Sequence, residues 1–132
     1  MRVVARDVDP LDAPPAVAPF AVPGQVFLTA GREYRVHALA AFHGVIVLQL
    51  TDDLWAETRL PDWYPAWLFD VVERSLDDDW IVGVFQAEPA IVIGPDFVAA
   101  SLESYEQMVE LYRDKVDRFR RRIAAGTQTR ST

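Results

Sequence analysis

The sequence predicts an α+β domain: a small antiparallel β-barrel or bent sheet of five to six strands, with one C-terminal α-helix. Three observations carry that expectation. Between residues 25 and 94, short runs rich in β-branched and aromatic residues alternate with Gly, Pro and Asp turn signals. From Leu102 onward the apolar residues change to helical spacing. The chain has 132 residues, enough for one core and too few for two.

Residues 1–24 hold five of the nine prolines and read as an extended, Pro-rich N-terminal arm, with "MRVVAR" able to add a short edge strand. The domain proper is expected over residues 25–125. "QVFLTA" and "REYRVHALAAF" read as strands separated by Gly31. In the second, Tyr34, Val36 and Ala38 alternate with Glu33, Arg35 and His37, the period of a half-buried strand. "FHG" then offers a turn and "VIVLQLTDD" a return strand, so a hairpin is expected. Residues 54–66, punctuated by Pro61 and Pro65, read as a loop. "WLFDVVER" and "DWIVGVFQA" follow as strands joined by the turn "SLDDD", and "AIVIGP" adds another.

Leu102, Tyr105, Val109, Tyr112, Val116, Phe119 and Ile123 recur at spacings of three and four, one continuous helical stripe. Ser101 or Ser104 supplies the N-cap, and early glutamates with late arginines match the helix dipole. Gly126 is the expected stop, leaving residues 126–132 as a flexible tail.

Composition removes several classes of chemistry. There is no cysteine, so disulfides and thiolate sites are absent. Net charge is −7, and residues 1–117 carry 20 acids against 8 bases. Such a body repels nucleic acid and anionic membrane and attracts a basic protein partner. Residues 13–30 are uncharged, but their prolines forbid a spanning helix, and the aspartates before them do not suit a signal peptide. The expectation is a cytoplasmic protein, monomeric or weakly homodimeric, with no cofactor and no metal.

Phosphate-binding loops, HExxH, GxSxG and EF-hand patterns are absent, and no catalytic residue is assigned. His37 and His43, six residues apart, would share a strand face, and with Asp70 they form the one candidate polar site. Asp70 is expected on the outer face of its strand, beneath the helix. Asp77, Asp78 and Asp79 read as a solvated hairpin turn. The candidate partner-binding residues are Asp52, Asp53, Trp55, Glu57, Asp62, Trp63 and Tyr64, where acids interleave with large aromatics in a proline-punctuated loop. The same aromatics could instead plug one end of the barrel.

"DWYPAWLFDVVE" resembles the aromatic, proline and small-residue segment that closes SH3-like barrels, although two further strands follow it here. As a whole, residues 25–124 are similar to small uncharacterised bacterial single-domain proteins, and in kind to the immunity proteins of bacterial toxin systems. The carrying stretches are "LTAGREYRVHALA", "PAWLFDVVE", "DDDW" and "SYEQMVELY". The resemblance implies a binding role and carries over no functional residue. The leading expectation is therefore a non-enzymatic protein-binding domain, concretely an immunity-type inhibitor of a basic partner. The alternatives are a small-molecule-binding or enzymatic domain with a pocket at the barrel mouth, and a structural self-associating subunit.

Overall fold

In the computed structural model, residues 1–131 are described, with side chains through Ala125. Seven strands form one open antiparallel sheet: β1 (Arg2–Ala5), β2 (Glu33–Phe42), β3 (Val45–Leu50), β4 (Asp62–Pro65), β5 (Phe69–Glu73), β6 (Ile81–Val84) and β7 (Ile91–Gly94). The helices are α1 (Trp55–Thr58), α2 (Asp96–Ala99), α3 (Leu102–Val109) and α4 (Arg113–Ser131). α4 runs on past Gly126, the expected stop, to Ser131, and Thr132 lies outside the described residues.

The ten-residue β2 organises the sheet. One of its sides pairs with β3 along Val36 to Phe42, while the other takes β1 at Glu33–Arg35 and β7 at Leu39–Ala41. The β2–β3 hairpin turns on His43 and Gly44, at φ of 49° and 78°. This is the two-residue turn with both φ positive that suits the twist of paired strands.

β1 is not an edge strand: it lies between β2 and β5. Its sequence is too short to announce this, and its place depends on partners some 30 and 70 residues away. "QVFLTA" is not a strand. Its backbone is held by the Tyr64 and Tyr34 hydroxyls, which accept from the Phe27 and Thr29 N–H groups at 3.3 and 2.8 Å. The expected loop at 54–66 contains both α1 and β4, whose proline at the strand end is tolerated because β4 is an edge. β5 and β6 do not pair with each other: β5 joins β1 and β6 joins β7. The "SLDDD" segment is thus a crossing loop and not a hairpin turn.

The single helix expected from the apolar stripe is two helices. Ser101 caps α3 by accepting the Ser104 N–H at 3.0 Å. At its other end Tyr112 N–H donates to Gln107 O and Leu111 N–H to Met108 O, with Leu111 at φ 58°. That is a Schellman motif with leucine where glycine is usual, so no glycine marks the break in the sequence. The bend leaves Val109 and Tyr112 exposed and lets Val116 and Phe119 of α4 reach the core beside Met108.

Both faces of the sheet are apolar. Ala38, Ala40, Val45, Val47 and Val92 face Phe97, Val98, Tyr105, Met108 and Phe119 of the helices. The opposite face holds Val36, Leu48 and Leu50 under Val3, Tyr34, Tyr64 and Phe69. Gly83 is required by the first packing, since a Cβ there would collide with the Ala99 carbonyl oxygen and the Phe85 ring. On the second face the register aligns two cross-strand rows, Ile46–Ala41–Ile91–Val84 and Leu48–Leu39–Ile93–Val82. Among the described residues, no helix is long and apolar enough to cross a membrane.

Candidate functional site

The acids that end β3 are structural. Asp52 is buried; it accepts the Tyr64 hydroxyl at 2.5 Å and the Leu54 N–H at 2.9 Å. Asp53 accepts the Tyr34 hydroxyl at 2.6 Å, Thr29 Oγ1 at 2.8 Å and Arg32 Nη1 at 2.9 Å. Together they tie residues 27–34 and β4 to the end of β3. Both side chains are buried, and the Tyr64 hydroxyl and Asp52 carboxylate are bonded to each other within the fold. Burial, with the Asp52 hydrogen bond, pushes the Tyr64 phenol far above its ordinary value.

Trp55 and Trp63 are half-buried. Trp55 stands edge-on to Phe119 with centroids 5.7 Å apart, and Trp63 edge-on to Tyr105 at 5.5 Å. Glu57 and Asp62 are exposed. The expected set is therefore divided: the two tryptophans pack against the helices, while Asp62 and one side of Trp63 open to a groove.

That groove, about 400 Å³, runs between the arm and β4. Phe20, Val22 and Phe27 form one wall, and Asp62, Trp63 and Tyr64 the other. Phe27 and Asp62 are shared with a smaller hollow of about 210 Å³ beside Leu54 and Leu111. The Asp62 carboxylate accepts the Trp63 N–H at 2.8 Å. Burial by the groove walls, with Asp52 nearby, raises its pKa, and the Trp63 N–H opposes the rise. Asp62 itself remains exposed to solvent. Among the described residues, no cation of the chain pairs with it.

The candidate polar site does not assemble. A register shift between Val36 and Ala38 breaks the alternation, and His37 is buried beneath Phe119. His43 is exposed in the hairpin turn, its N–H donating to Glu88 Oε2 at 2.9 Å. Asp70 is exposed on β5, not beneath a helix. Among the described residues no group of three His, Cys, Asp or Glu side chains could hold a metal ion.

Two polar features went unread in the sequence. Asp77 is not a solvated turn residue: it accepts Arg35 Nη2 at 2.7 Å and Arg122 Nη2 at 2.8 Å, and Arg122 also reaches Asp79 at 2.6 Å. Burial acts to raise the Asp77 pKa, but the bonds from Arg122 and Arg35 outweigh it and hold the carboxyl below its usual range. Beside this cluster, both ring nitrogens of His37 and the amide of Gln49 are buried without hydrogen-bond partners. Burial first, then the Arg35 and Arg122 charges, hold His37 down at about 3. The groove's arm wall was equally hidden, its one signal being the uncharged aromatic stretch at 13–30.

No known family, characterised protein or solved structure matches this chain.

Proposed function

We propose that the chain is a non-enzymatic protein-binding domain that takes a cationic side chain of a basic partner into the groove between the arm and β4. The observation that carries this reading is Asp62, a carboxylate set among Phe20, Phe27 and Trp63 with no cation of its own among the described residues. Aromatic faces and a carboxylate attract an ammonium or guanidinium together, and the surrounding net charge of −7 steers a basic protein toward it. An immunity-type inhibitor of a basic toxin is the concrete form of this function.

Arginine- and lysine-containing peptides, with norleucine controls, test it through chemical-shift changes at the Trp63 indole. Binding should fall roughly tenfold in Asp62→Asn, a change worth about 1.4 kcal/mol, and should weaken with salt. Equal binding of the norleucine control, or undiminished binding by Asp62→Asn, would remove the groove from consideration.

A further inference from the structure

The cation groove does not end at Asp62. Phe27 and Asp62 also line the second hollow, about 210 Å³, which Leu54, Leu60, Pro61 and Leu111 complete. The other polar side chains on its wall are already engaged. Asp52 accepts the Tyr64 hydroxyl and the Leu54 N–H. The Thr58 hydroxyl donates to the Leu54 carbonyl at 3.1 Å and accepts the Leu60 N–H at 3.3 Å. What the hollow offers an occupant is therefore an aliphatic lining beside one shared carboxylate. Leu111 stands at φ 58° and is 37 % exposed. Glycine would hold that backbone without strain, so the bend itself does not call for a leucine. Its side chain is instead part of the hollow's wall.

We infer that the groove and the hollow together read two side chains of one basic segment: a cation at Asp62 and, beside it, an aliphatic residue against Leu54, Leu60 and Leu111. The inference rests on the cation reading of the groove and adds the second residue to it. Charge complementarity names the occupant. With Asp62 on the common wall and a net charge of −7, an aliphatic side chain carried by a basic segment is drawn in, and one carried by an acidic segment is repelled. Once there, it gains by leaving water and leaves no polar group of the hollow unpaired. In an extended peptide, side chains two residues apart point the same way about 7 Å apart, which suits two hollows that share a wall. The recognised motif is accordingly a basic and an aliphatic residue separated by one.

Capped pentapeptides Gly-Arg-Ala-Leu-Gly and Gly-Leu-Ala-Arg-Gly, titrated into the full chain, test this against counterparts with alanine in place of leucine. The better-binding order should hold roughly tenfold tighter than its alanine counterpart. That advantage should persist in high salt, while the binding of both peptides weakens. Leu111→Gly, which keeps the bend and removes the wall, should abolish the advantage and leave the alanine peptide's affinity unchanged. Leu111→Asn, a residue type that also tolerates positive φ, should act alike. Equal binding of leucine and alanine peptides by the wild type overturns the inference, as does an advantage undiminished in both Leu111 variants. In either case an alanine peptide that still loses affinity in Asp62→Asn leaves the cation reading standing. An alanine peptide indifferent to Asp62→Asn removes both.

Discussion

His37 lies edge-on beneath Phe119, with ring centroids 5.1 Å apart and planes at 80°. The contact joins the irregular step in β2 to the middle of α4, and it places a titratable ring in the layer that holds the last helix to the sheet.

Acid should therefore loosen the fold at a pH where few carboxylates have titrated. The ring stays neutral when folded down to about 3, against about 6.5 when unfolded, so protonation favours the unfolded chain. The contribution is complete above about pH 6.5 and is lost progressively as pH falls toward 3. Charges facing the ring are Arg35, Arg122, Asp77 and the Met1 amino group. The depressed Asp77 carboxyl adds a loss of the same sign at lower pH, as it protonates. Urea midpoints should drop between pH 7 and 4.5, by a few kcal/mol at most, and the drop should shrink in His37→Leu. A flat profile in the wild type would contradict the burial of this ring.

Phe119→Ala should be among the most damaging single changes. The side chain is 1 % exposed and touches both His37 and Trp55, so its removal opens a cavity between sheet and helix. The expected loss is about 3–5 kcal/mol, measurable by chemical denaturation.

Acidic residues in one short stretch should behave in opposite ways. Asp53→Lys removes the acceptor of Tyr34, Thr29 and Arg32, and should cost roughly 2–3 kcal/mol. Glu57→Lys alters an exposed side chain on α1 and should change stability by less than about 0.5 kcal/mol. Melting curves of the two variants side by side are sufficient. Equal, small effects would mean the Asp53 contacts contribute little.

At the α3–α4 bend, Leu111→Gly should be neutral to stabilising by up to about 1 kcal/mol, because glycine adopts a positive φ without strain. Leu111→Val should destabilise by about 1–2 kcal/mol, since a β-branched side chain crowds that conformation further. If glycine destabilises more than valine, the αL geometry is not what sets the residue's contribution.

These residues also show what the sequence could and could not convey. The β2–β3 hairpin was legible because Phe42-His43-Gly44 carries its own turn chemistry between two β-rich runs. The amphipathic C-terminal stripe was legible as helix, but its break was not, because Leu111 occupies the position where a glycine would have announced it. His37 was misplaced by parity: one extra residue in the register turned an expected outward side chain into a buried one. Asp62, Trp63 and Tyr64 were singled out together, and all three line the groove. Asp52 and Asp53 were read as free acids because their hydroxyl partners, Tyr64, Tyr34 and Thr29, lie 12 to 24 residues away in the chain.

The interior position of β1 bears on the order in which the protein can be completed as it is synthesised. Once synthesised, β1 must wait for Phe69–Glu73 before its second edge is paired. The helical cover over the opposite face arrives later still, with Phe119, and the Arg122 clasp on Asp77 last. Until then the sheet face that α4 helps to cover stays partly open, so a nascent chain stalled before residue 113 would present a surface prone to aggregation and suited to chaperone capture.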